Sequence, residues 1–214
     1  MRRPFVRFVA CLSAAAILAV AQPAPARPVP FSAADQADLD RISAYLNSIR
    51  TMKGGFIQIG PDGEIDQGEF SLAKPGRIRF QYQPPTPTLI VSDGTKVAVE
   101  NTQLKTVDRY RLSETPLNLI LADKIDLAND RDIVGIDREQ GALVVRARSN
   151  SYRTQGNIRL TFSVPDLELR QWTVIDNQGL STTVALRDQQ TGVTLPDSLF
   201  VVPGRNPFTG KIVE

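Results

Sequence analysis

The sequence predicts a mainly β protein of the α+β class, built on an antiparallel sheet. Three observations carry that prediction. From Thr51 onward apolar residues recur at every second position rather than every third or fourth. Gly- and Pro-containing turn signals interrupt these runs at hairpin intervals. Against roughly ten such strands, the chain offers one full helix and one short one to cover them. A sheet of this size must bury its dry face by closing into a barrel, by pairing with a second sheet, or by curving around an apolar ligand under a small lid. The residues alone leave all three open.

The N-terminus reads as an address. Arg2, Arg3 and Arg7 precede an apolar, Ala-rich run over 9–20. That run, about 12 residues, is too short to span a bilayer core as a helix. Small residues follow at Ala24-Pro25-Ala26, so residues 1–26 are expected to be a signal peptide cleaved after Ala26, with Ala21 as the alternative site. Most of the apolar run lies after Cys11 rather than before it, which argues against lipidation. Residues 27–214 are then expected to form a single domain. Cleavage removes three of the 25 basic residues and none of the 23 acidic ones, leaving 22 against 23 and a net charge of −1. No basic surface then argues for nucleic acid as a partner.

Ser32 and Asp35 open an amphipathic helix in capping-box fashion, and Leu39, Ile42, Leu46 and Ile49 mark its apolar face. Ile78, Phe80 and Tyr82 alternate with Arg77, Arg79 and Gln81. Leu143, Val145 and Ala147 form a second half-buried strand, Ile158, Leu160 and Phe162 a third, and Thr182, Val184 and Leu186 a fourth. Pro61-Asp62-Gly63, Lys74-Pro75-Gly76, Asp93-Gly94, Gln140-Gly141 and Asn177-Gln178-Gly179 suit tight turns. Pro84-Pro85-Thr86-Pro87 cannot donate to a ladder and reads as a loop or strand edge. The later short helix is expected to start with Thr115 as N-cap and Pro116 at its first position. A last turn is expected at Pro196-Asp197-Ser198-Leu199.

Composition excludes much chemistry. The chain has no His and one Cys. It therefore holds no imidazole shuttle, no His-assisted nucleophile, no thiolate-rich zinc site and no internal disulfide. No metal and no cofactor are expected. Asp126, Asp130 and Asp132 lack calcium-loop spacing and read as a solvated loop. Ser71-Leu72-Ala73-Lys74 spells a Ser-x-x-Lys pattern, but on an alternating strand rather than on one turn of a helix. A hydrolase built on that pair is the third-ranked reading. The Arg residues alternating along the strands are expected to form a solvated face with cross-strand ion pairs.

Gly55-Phe56-Ile57-Gln58, then Gln67-Gly68-Glu69-Phe70-Ser71-Leu72, then Lys74-Pro75-Gly76 followed by Arg77 to Tyr82, resemble the outer-membrane lipoprotein carrier family, the LolA-type periplasmic chaperones. Pro87 to Gly94 and Thr115-Pro116-Leu117 fit the same order. The resemblance implies an unclosed antiparallel half-barrel with a lid of short helices over an apolar cavity. It implies a non-enzymatic monomer in the periplasm of a Gram-negative bacterium. That monomer would take triacylated lipoproteins from an inner-membrane lipoprotein-releasing ABC transporter and pass them to an outer-membrane lipoprotein acceptor. By position, Ile78, Phe80 and Tyr82 would face the acyl-chain cavity, and Leu117 and Ile120 would sit on the lid. Lys74 would stand where the family has an Arg that locks the lid, with Arg77 and Arg79 as alternative cations. The tail after Pro203 is shorter than the C-terminal extension of some members. The runner-up keeps this fold and makes it a lipid- or glycolipid-binding or stress-sensing domain.

Overall fold

A computed structural model describes residues 31–149, 156–202, 204–205 and 212–213. The expected signal peptide over 1–26, with Cys11 and its cleavage site, lies outside the described residues, as does most of the tail after Pro203.

Helix α1 spans Ala33–Ser48. Its start is a reciprocal capping box: the Asp35 N–H donates to Ser32 Oγ at 3.1 Å, and the Ser32 N–H donates to the Asp35 carboxylate at 3.2 Å. Arg138 adds ion pairs to Asp35 at 2.8 Å and Asp38 at 2.6 Å. The Ser32 contact and then Arg138 hold the Asp35 carboxyl below its ordinary pKa. Leu39, Ile42 and Leu46 are buried, as their spacing predicts.

The strands are β1 (Thr51–Ile59), β2 (Ile65–Ala73), β3 (Arg77–Tyr82), β4 (Thr88–Asp93), β5 (Lys96–Asn101) and β6 (Thr106–Arg111), then β7 (Ile133–Glu139), β8 (Ala142–Ser149), β9 (Gly156–Ser163), β10 (Leu169–Asp176) and β11 (Ser181–Thr191). They form one 11-stranded sheet in the order β6-β5-β4-β3-β2-β1-β11-β10-β9-β8-β7. Every pairing is antiparallel. Two meanders are thus joined at their middle by β1 and β11, which lie far apart in sequence. The edge strands β6 and β7 are not neighbours in the ladder, so the sheet is an unclosed one. Gly63, Gly76, Gly94, Gly141 and Gly179 all take positive φ at the turns expected of them.

Two glycines let the central strands curl tightly. Gly54 of β1 lies under the Phe70 ring, and Gly68 of β2 lies under the Phe56 ring. A Cβ on Gly68 would meet Gln81 O at 2.1 Å and Phe56 at 2.7 Å. Glycine here is packing space for an aromatic ring. Register shifts between Lys53 and Gly55, between Leu169 and Gln171, and between Ile133 and Gly135 bend the strands further.

The segment between β6 and β7 crosses the inner face. It begins with a 3-10 turn at Leu112–Glu114 and continues as α2, Asn118–Leu121. The expected cap is corrected here. Thr115 donates its hydroxyl back to Leu112 O at 2.8 Å, and the helix starts later with Leu117 at the N-cap position. The 3-10 turn and the residues Thr115 to Leu117 carry the chain further before the helix begins, and α2 starts without a side-chain cap. A last 3-10 turn, Asp197–Phe200, packs on the outer face of β3 and β4, where the sequence placed a turn.

Candidate functional site

The inner face is a continuous apolar surface. Residues of α1, of the segment after α2 and of strands from both meanders share one buried cluster. Its floor is aromatic. Phe56 meets Phe80 at 5.1 Å and Tyr82 at 4.9 Å, both edge to face, and Phe80 meets Trp172 at 6.0 Å. Within this cluster lies a small cavity of about 10 Å³, close to the room one water needs. Leu46 and Ile49 close it from the end of α1, and Ile120 closes it from α2. Met52, Phe70, Leu72 and Ile78 form one wall, and Leu169, Trp172 and Leu186 form the other.

Lys74 also lines this cavity. It is 8% exposed, and its Nζ donates to Leu46 O at 2.7 Å. That carbonyl belongs to the last turn of α1, where the helix lacks an internal donor and the dipole favours a cation. Burial pushes the Lys74 ammonium down from 10.5 to about 8; Arg50 lowers it further, and Asp123 opposes the shift. Two residues on, the Gly76 N–H donates to Leu121 O of α2 at 2.8 Å. One turn, between β2 and β3, thus holds both covering elements.

The covering elements are also tied to each other. Asn47 of α1 brackets Ile125, donating to its carbonyl at 2.8 Å and accepting from its N–H at 2.9 Å. Buried Ser43 accepts from the Leu127 N–H at 3.0 Å while donating to Leu39 O at 2.7 Å. Tyr45 accepts from the Leu169 N–H at 3.1 Å, which links α1 to β10. Burial raises the Tyr45 pKa.

Of the residues singled out from sequence, Ile78, Ile120 and Lys74 meet at the cavity. Phe80 and Tyr82 lie in the adjoining aromatic floor, and Leu117 packs partly buried against the same cluster. Tyr82 donates to Gln58 Oε1 at 2.7 Å, and burial, with Asp66 adding to it, pushes its pKa up to about 12. Sequence reasoning missed Trp172, Leu169 and Leu186 as wall residues. The alternation marked Leu186, but a register shift between Leu169 and Gln171 breaks the period across Leu169 and Trp172, and the β1–β11 pairing that brings all three to Ile78 is not written locally.

Arg77 and Arg79 stand away from the lid, on the outer face. Arg77 pairs with Asp197 at 2.6 Å and lies over the Phe200 ring, and Arg79 donates to Leu199 O at 3.4 Å. Arg146–Asp137 and Arg159–Glu139 make the expected cross-strand pairs. Ser71 and Lys74 are not brought together. Ser71 lines a polar groove of about 370 Å³ with Lys53 and Arg187, whereas Lys74 is in the apolar cavity. Among the described residues no group of carboxylates could hold a metal ion, and no helix is long and apolar enough to cross a membrane.

A family model described as outer membrane lipoprotein carrier protein LolA matches residues 47–203. An outer-membrane lipoprotein carrier protein of Methylococcus capsulatus is 28% identical over 179 residues, covering 79% of this chain and 85% of that one. Its counterpart in Pseudomonas fluorescens Pf-5 is 28% identical over 182 residues, covering 78% and 84%. A crystal structure of an uncharacterized conserved protein from Thermus thermophilus superposes with a TM-score of 0.49 at 11% identity, covering 83% of this chain and 97% of that one.

Proposed function

The chain belongs to the outer membrane lipoprotein carrier family, and from that premise we propose that it shuttles lipoprotein acyl chains across the periplasm, taking them from an inner-membrane ABC transporter and yielding them to an outer-membrane acceptor. The observation that carries the reading is the apolar cavity under α1 and α2. Its wall contains one ammonium and no other charged side chain. Each acyl CH₂ left in water costs about 0.8 kcal/mol, so a 16-carbon chain carries roughly 12 kcal/mol of exposure. A wall of Leu, Ile, Met and aromatic side chains removes that cost without a specific polar contact. A space fit for one water cannot hold such a chain. Loading therefore requires α1 and the lid to move off the inner face, breaking the Lys74–Leu46 and Gly76–Leu121 hydrogen bonds.

In this reading Ile78, Ile120 and the aromatic floor of Phe80 and Tyr82 receive the acyl chains, with Leu117 behind them. Lys74 latches the empty state, and residues 1–26 deliver the chain to the periplasm. No step of the cycle makes or breaks a covalent bond. The test incubates the mature chain with inner-membrane vesicles containing the transporter, ATP and a triacylated lipoprotein. The parent chain is expected to leave the vesicles carrying lipoprotein, and Ile78→Glu is expected to leave empty. Equal yields from the two would sink the proposal. Lipid extraction of the purified protein that returned only free lipid would favour the lipid-binding alternative.

A further inference from the structure

The ammonium in the cavity wall has more hydrogen-bonding capacity than the closed protein uses. Lys74 is 8% exposed, and its Nζ carries three N–H donors. Among the described residues it gives one of them to Leu46 O at 2.7 Å and enters no ion pair. Every other side chain of the cavity wall is aliphatic, aromatic or a thioether, so the wall offers the two remaining donors no acceptor side chain.

The charge is also left without a counter-ion. Asp123 favours the ammonium, but its carboxylate is paired with Arg50 at 3.0 Å, in an exposed ion pair. Arg50 acts in the same direction as burial, against the charged form of Lys74. Burial is the largest cause of the fall in the Lys74 pKa to about 8, which still leaves the group mostly protonated at pH 7. A buried cation is tolerated best beside an anion. Ligand pockets combine an apolar wall with a few placed polar groups that orient what enters, and here the one such side chain is a cation.

We propose that the cavity also takes a free fatty acid, its carboxylate on Lys74 Nζ and its alkyl chain along Met52, Ile78 and Trp172. The inference rests on the reading of this cavity as an acyl-chain site and adds a ligand class to it. A triacylated lipoprotein holds its acyl chains in ester and amide linkage, without an anionic group at their heads; a fatty acid brings one. Room for the chain comes from the same movement of α1 and α2 that loading requires. As α1 lifts, the carboxylate takes over from Leu46 O as the acceptor, exchanging a neutral oxygen for a charged one. A long-chain alcohol would leave the ammonium without its counter-ion, and a long-chain amine would set a second cation beside it.

The test uses Trp172, the chain's single tryptophan, which stands in the cavity wall. The delipidated mature chain at pH 7 is titrated with laurate, lauryl alcohol and laurylamine below their micellar range, and Trp172 emission is followed. Laurate is expected to bind about tenfold more tightly than the alcohol, and the amine more weakly than either. Lys74→Met should erase the preference for laurate over the alcohol, and Lys74→Arg should keep it. Equal affinity for laurate and the alcohol, a preference that survives Lys74→Met, or no response to laurate would each overturn the proposal. The first of these would leave the acyl-chain reading standing. A parent chain that answers none of the three amphiphiles and also leaves vesicles without lipoprotein would sink both.

Discussion

Replacing Lys74 by Met isolates what its buried ammonium, proposed above as a latch, costs the fold. Met keeps an unbranched stem among Leu46, Ile49 and Met52 but carries no charge. Two effects oppose. The variant loses a charge-assisted hydrogen bond to Leu46 O, worth about 1.5–3 kcal/mol. It also sheds the burial of an ammonium whose pKa falls from 10.5 to about 8, a relief of about 3 kcal/mol. At pH 7 the two nearly cancel, so stability there should change by no more than about 1.5 kcal/mol. The pH dependence is what separates them. The folded pKa lies below the unfolded one, so between pH 8 and 10.5 the unfolded chain holds a proton that the folded chain has released. Stability therefore rises with pH through that window. From pH 7 to 9.5 this group alone should add about 2 kcal/mol to the parent. Urea unfolding at pH 7, 8, 9 and 9.5 reads the effect directly, with Lys74→Met expected to lack that rise. Lys74→Arg should lack it too, because a guanidinium stays charged throughout. Parallel profiles for parent and Met variant would refute the burial argument. In the proposed cycle, opening would return the ammonium to water, so the same cost would favour opening below pH 8.

Tyr82→Phe should remove an alkaline loss of stability. The parent's buried phenol ionises only near pH 12 while the unfolded chain ionises near 10, so stability falls as pH rises above about 10. Gly68→Ala should destabilise by at least about 1–3 kcal/mol, because its Cβ meets a backbone carbonyl that cannot step aside; chemical denaturation checks this. Phe80→Ala should cost about 3–5 kcal/mol by leaving Phe56, Phe70 and Trp172 without their shared neighbour. Asn47→Ala should leave the sheet intact and speed hydrogen exchange at Ile125 and its neighbours, since Asn47 supplies both bonds to that residue.

Local elements were legible in the sequence wherever one period dominated. The α1 stripe from Leu39 to Ile49, the alternation Ile78-Phe80-Tyr82 and the glycine turns all follow from neighbours within a few residues. Order in the sheet was not legible, because the union of β1 with β11 joins Phe56 to Leu186 across more than half the chain. The cavity wall suffers the same limit: Ile78 could be placed on an inner face, but its meeting with Trp172 depends on that union. The start of α2 was misplaced because the Thr115-Pro116 pair resembles a cap, whereas a 3-10 turn ends at Thr115 and the helix begins two residues later without a side-chain cap. Lys74 could be singled out by its place before Pro75, while its partner, the end of α1, belongs to a segment 28 residues earlier.

The two unpaired edges, β6 and β7, have a mechanical meaning. In a closed barrel, strand number and stagger fix the radius, so the interior cannot grow without tearing the ladder. Here the chain that runs through α2 connects the two edges, and Arg138 ties β7 to α1. Nothing in the ladder order forbids the edges from spreading about the β1–β11 junction with the interstrand hydrogen bonds kept. The interior volume is therefore set by curvature, a soft coordinate, rather than by topology. Under the proposed carrier function, a container of this kind would admit cargo of different girth with one fixed set of wall residues.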